Sequence, residues 1–145
     1  MKSDNFIASA ETTINAPVEK VWNALINPEM IKKYMFGTIV VSDWKEGSRV
    51  TWSGEWEGKY YVDKGEILKI KPYQQLQYTH FSPLAGIEDK PENYPIVTIN
   101  LEKNEKQTTI SLSQNNNATR EAKEHSEKNW KMMLESLKKI LEENT

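Results

Sequence analysis

His80 stands in the stretch QLQYTHF, where it alternates with Leu76 and Tyr78, so all three side chains project from one face of an extended run. On a face turned inward, an imidazole can serve as acid, base or hydrogen-bond donor, because its charge changes near neutral pH. It can equally be a partly buried histidine held by a neighbouring side chain. The second histidine, His125, falls at the flank of a helical pattern beside Asn129 one turn later, the position of a solvent-edge residue. Neither completes a catalytic constellation. The chain has no G-x-S-x-G elbow, H-E-x-x-H pair or phosphate-cradling glycine loop, and without cysteine it has no thiolate nucleophile or thiolate metal ligand. A metal held by both histidines would need further converging ligands, which the sequence does not show. No cofactor and no metal are expected, and the residues favour binding over catalysis.

Large apolar side chains are better represented than reactive ones. Trp22 and Trp130 fall in the middle of helical stripes, and Trp44, Trp52 and Trp56 gather around one hairpin, where Trp52 alternates with Val50 and is expected to face inward. Met35 and Phe36 end a short helical pattern. Unbranched methionine repacks easily around variable apolar guests, so these two residues are candidates for the rim of an interior site as well as for plain packing.

The elements that must position these residues follow from periodicity. Phe6 to Ile14 reads as a strand, and Pro17 suits the first turn of a helix whose stripe is Val18, Val21, Trp22, Leu25 and Ile26. Asn27 is a plausible cap for a second short helix beginning at Pro28, with Glu29 near its positive end and Gly37 beyond its last residues. Strands follow, divided by turn signals at Lys45-Glu46-Gly47, Gly54, Gly58 and Asp63-Lys64-Gly65. Val97, Ile99 and Leu101 share one face, and Ile110 and Leu112 continue it past a turn near Asn104, as an antiparallel sheet with one wet face requires. Residues 82–95, with three prolines and a glycine, are expected to be a long loop at the lip of the fold. After the polar run Gln114 to Asn117, a long helix extends from Thr119 to about Glu143.

Composition bounds what such a chain can be. Its 145 residues suit one domain spanning 1–145, and 37% hydrophobic residues are enough for a core. A net charge of -2 gives no electrostatic footprint for nucleic acid, and no apolar run is long enough for a membrane span. The opening MKSDNFIASA lacks the apolar stretch of a secretion signal, so a cytoplasmic location is expected.

Four segments carry a resemblance: INAPVEKVWNALINPEMIKKY, DKGEILKIKPYQQLQYTH, DKPENYPIVTINL and EAKEHSEKNWKMMLESLKKILE. In order and spacing they resemble the START-like (SRPBCC) superfamily, in the branch related to the C-terminal domain of the activator of the heat-shock-protein-90 ATPase. The chain departs from that pattern at Pro95, Met35 and Asn129, where histidine, tryptophan and glycine are common. The resemblance implies an α+β helix-grip fold: a curved antiparallel sheet wrapped around a long C-terminal helix, with two short helices after the first strand. It also implies a cavity between sheet and helix. Because this fold hosts carriers, receptors, cyclases and a co-chaperone domain, it does not choose among them. Three functions stay open: binding of a small apolar, aromatic or lipid-like molecule, association with a heat-shock chaperone, and a cyclase- or hydrolase-like reaction using His80.

A ligand site can be located on this frame. The long helix is bulky at Trp130, Met133, Leu134, Leu137 and Leu141, but its stripe becomes small at Ala122 and Ser126. Space is expected beside those small residues, opposite Tyr78, His80, Val97 and Ile99, with Trp130 and Met133 closing it below and Met35, Phe36 and Trp52 around it.

Overall fold

The computed structural model of the protein describes residues 6–83, 88–117 and 119–143. Seven strands form one sheet: β1 (Phe6–Ile14), β2 (Ile39–Ser42), β3 (Arg49–Trp56), β4 (Lys59–Lys71), β5 (Gln75–Thr79), β6 (Ile96–Asn104) and β7 (Gln107–Asn117). Their spatial order is β1-β7-β6-β5-β4-β3-β2, and every neighbouring pair is antiparallel. Helices α1 (Val18–Ile26) and α2 (Pro28–Tyr34) join β1 to β2, and α3 (Arg120–Glu143) ends the chain. This is the helix-grip architecture expected from the sequence.

Local chemistry explains the elements. Asn27 accepts a hydrogen bond from Glu29 N at 2.9 Å and caps α2, with Pro28 at its first position. The helix stops at Phe36, which has φ 55, and Gly37, whose amide bonds back to Lys32 O at 2.8 Å. Pro17 sits one position earlier than expected, as the N-cap of α1. Two expected turn signals, Gly54 and Asp63-Lys64-Gly65, lie inside strands β3 and β4. The polar run Gln114 to Asn117 is the end of β7, not a linker, because its side chains have partners within the fold. Of the loop at 82–95, residues 84–87 lie outside the described residues; Pro91–Asn93 forms a single 3-10 turn.

Gly65 is needed for close approach. A methyl group there would overlap the Thr79 carbonyl oxygen. With no side chain in the way, Lys64 and Phe81 exchange two backbone bonds of 3.0 and 2.7 Å, which extends the β4–β5 contact beyond β5. Asp63 and His80 are brought together by this approach.

Helix α3 covers the open edge of β1. Glu127 Oε2 accepts from Ser9 N at 3.0 Å, Lys138 Nζ donates to Thr13 O at 2.7 Å, and Glu142 Oε2 accepts from Asn15 N at 2.8 Å. These side chains occupy backbone groups that an edge strand otherwise offers to other chains. The amide of Ser9, with help from Lys123, holds the Glu127 carboxyl below its ordinary value of 4.5. Lys138, and then the Asn15 amide, does the same for Glu142. Below, Leu134, Leu137 and Leu141 are buried against the sheet.

Two predictions follow from these contacts. Gly65→Ala should cost more than about 2 kcal/mol in a denaturant melt, because the clash is with backbone and cannot be relieved by a rotamer change. A folded carboxyl with a depressed pKa contributes stability that is complete above its unfolded value and is lost as pH falls. Wild-type stability should therefore drop as pH falls below 4.5, and Glu127→Gln/Glu142→Gln should show a shallower drop in melts across that range.

Candidate functional site

A small cavity of about 30 Å³ lies where α1, α2 and α3 meet the concave face of the sheet. Leu25, Ile31, Tyr34 and Met35 bound it from the short helices and Met133 from α3. Val50, Trp52, Ile67, Leu76, Tyr78 and Ile99 supply the sheet wall, with Trp44 at the side. It is roughly the volume that one water takes in the liquid, and about a tenth of the smallest ordinary ligand pocket.

Its two hydroxyls belong to buried tyrosines. Tyr34 Oη donates to Ala24 O at 2.8 Å. That carbonyl lies four residues before Pro28, which has no amide hydrogen, so the helical partner it would otherwise have does not exist. Burial pushes the Tyr34 hydroxyl far above the ordinary tyrosine pKa, and neighbouring Tyr78 raises it further. Burial does the same to Tyr78. Both hydroxyls therefore stay neutral at working pH.

Behind this cavity is a polar pair. His80 Nε2 lies 2.9 Å from Asp63 Oδ2, and Asp63 Oδ1 is buried with no hydrogen-bond partner among the described residues. The Trp52 ring stands 5.2 Å from Tyr78 and, edge-on, 4.9 Å from His80. Among the described residues no three histidine, cysteine or acidic side chains converge as metal ligands do.

The sequence-derived candidates divide into four groups. Met35, Trp52, Tyr78, Ile99 and Met133 line the cavity. Val97 is fully buried opposite Tyr78, and His80 lies just beyond Trp52. Phe36 is 67% exposed on the surface. The remaining three are on the upper half of α3, away from the cavity. Ser126 donates to Asn117 at 3.0 Å and Trp130 to Gln114 at 2.6 Å, with Ala122 half-buried on the same helix. Side chains from the end of β7 meet the helix there, so its small residues serve a polar junction. Sequence reasoning did not single out Tyr34, Trp44, Val50 or Ile67 for the site, although their apolar spacing was visible. Asp63 was hidden because its neighbours read as a turn.

A second, open groove of about 400 Å³ crosses the outer face near Ser9, Glu11, Asn100, Ser111, Ser113 and Lys131. Although larger, it holds none of the buried unpaired polar atoms found among the described residues, so it offers less chemistry than the smaller site.

The sequence pattern of the family described as Activator of Hsp90 ATPase homolog 1-like protein matches residues 15–142. Among solved structures, ChR145 from Cytophaga hutchinsonii is 58% identical, with a TM-score of 0.84 over 96% of this chain and 95% of that one. MLL2253 from Mesorhizobium loti is 26% identical, with a TM-score of 0.76 over 97% of this chain and 99% of that one. The Aha1 dimer from Colwellia psychrerythraea, at 22% identity and TM-score 0.73 over 94% of this chain and 96% of that one, is similar in fold. No curated protein sequence matches the chain.

Tyr34→Phe tests the local account of the site. Removing the hydroxyl leaves the Ala24 carbonyl buried and unpaired, so denaturant melts should show a loss of about 1–3 kcal/mol with the fold retained.

Proposed function

Because the chain belongs to the Activator of Hsp90 ATPase homolog 1-like family, we propose that it is a non-catalytic binder of a small apolar molecule, held between the sheet and the helices. The observation that carries this reading is the cavity lining, which is apolar and aromatic throughout apart from the two neutral tyrosine hydroxyls. Ligand sites combine such walls with a few polar groups that orient the guest. At about 30 Å³ the space is too small for such a guest as it stands, so a guest enters by displacing side chains. Met35, at the end of α2, and Met133, on α3, are the unbranched lining residues best suited to repack. Helix α2 has only seven residues and is followed two positions later by the exposed Phe36, so it is the short element that can give way.

A second reading has its own support. Ile39, Val41, Tyr60 and Val62 are exposed on the outer face of β2 and β4, an apolar patch of the kind that marks protein contacts. Together with the family description it supports association with a heat-shock ATPase. Stimulated ATP turnover by a purified ATPase of that class, lost in Ile39→Asp/Val41→Asp, would favour this reading.

Titration with naphthalene tests the first. Amide, methyl and indole NMR shifts should appear together at Met35, Trp52, Tyr78 and Met133. Met133→Ala should enlarge the space, cost about 2–5 kcal/mol of stability and tighten naphthalene binding. Shifts confined to the outer faces of the sheet would overturn the proposal.

A further inference from the structure

Asp63 carries the one buried side-chain polar atom, Oδ1, that has no hydrogen-bond partner among the described residues. It stands opposite Trp52 in the β3–β4 register, its side chain is 15% exposed, and only its Oδ2 is bonded, to His80 Nε2. The adjacent Lys64 does not help, because its ammonium is bound to Asp89. A carboxylate oxygen removed from water without a donor is costly, so Oδ1 marks a place where an incoming hydrogen-bond donor gains more than it would on the surface.

The charge state defines which donors suit it. With Asp63 ionised and the imidazole neutral, the bond between them places the ring proton on Nε2 and leaves Nδ1 as an acceptor. The pair then presents two acceptors, Asp63 Oδ1 and His80 Nδ1, and a negative charge. Trp52 is the partition between this pair and the apolar cavity, since its ring lines the cavity and also meets His80 edge-on. A ligand lying past Trp52 has its apolar body in the cavity and its head at the pair.

We infer that Asp63 and His80 are the polar end of the apolar site and select ligands whose head donates hydrogen bonds, alcohols or protonated amines, against carboxylates. The inference rests on the binding function proposed above. An ammonium offsets the Asp63 charge, and a hydroxyl satisfies an acceptor. A carboxylate head brings like charge to the Asp63 carboxylate, and neither Asp63 Oδ1 nor the unprotonated His80 Nδ1 can donate to it.

The test is a titration of the unaltered protein at about pH 8, where a free imidazole is neutral, with naphthalene, naphthylmethanol, naphthylmethylamine and naphthoate. Binding is read from Trp52 indole and His80 ring NMR signals. The alcohol and amine should bind at least about tenfold tighter than naphthoate. In Asp63→Asn, which keeps the shape and removes the charge, the preference for amine over naphthoate should shrink by about tenfold while naphthalene binds as before. If naphthalene binds among Met35, Trp52 and Met133 but the three heads bind equally, or if Asp63→Asn leaves their ranking intact, the head-group inference is overturned and the binding function survives. If naphthalene itself does not bind there, both fall. The ranking on the unaltered protein needs no variant, so a misfolded Asp63→Asn would not leave the matter open.

Discussion

A seven-stranded antiparallel sheet has one apolar face to bury and only one long helix to bury it, and the remainder of the structure is arranged around that shortage. Helix α3 lies along β1, where Ala8 and Ala10 keep the strand surface low enough for close approach. Leu134, Leu137 and Leu141 fill the contact, while Glu127, Lys138 and Glu142 cover the backbone of the strand's open edge. This half of the sheet is closed by large buried side chains and by charge-assisted bonds, which are stronger than neutral ones.

The other half has only α1 and α2 above it. Two short helices joined at Asn27 and Pro28 stand there instead of one continuous helix, and the small cavity lies where they and α3 meet the sheet. The proline that makes the two-helix corner also deprives Ala24 of its helical partner, and Tyr34 supplies the missing bond from the end of the next helix. One residue thus both shapes the corner and places a buried hydroxyl in the cavity wall.

A close backbone approach shapes the far side of Trp52. Strand β4 runs for thirteen residues and pairs with β3 along one side, but it reaches Phe81 only because Gly65 lets the Thr79 backbone come close. Asp63 and His80 are seventeen positions apart in sequence and 2.9 Å apart in space. An apolar cavity, an aromatic partition and a carboxylate–imidazole pair consequently stand in series on one concave face. This layout suits a molecule with an apolar body and a polar end.

Periodicity and capping residues were sufficient to identify most elements, and the family resemblance supplied their arrangement: the stripe from Val18 to Ile26, the cap at Asn27, the alternating strands and the bulky face from Met133 to Leu141 are local patterns, and local patterns are what a linear chain displays. Five of the eleven residues expected at a ligand site do line the cavity, because inward alternation at Trp52, Tyr78 and Ile99 is also local. The rest depended on which elements meet. Small residues at Ala122 and Ser126 looked like room for a guest, yet the end of β7 supplies Asn117 and Gln114 to that part of the helix, and no spacing along α3 announces a partner from another strand. Asp63 had the sequence signature of a turn, since aspartate, lysine and glycine together normally break a strand. Only the tertiary structure made that glycine a point of close approach, because the clash it avoids is with a carbonyl fourteen residues away.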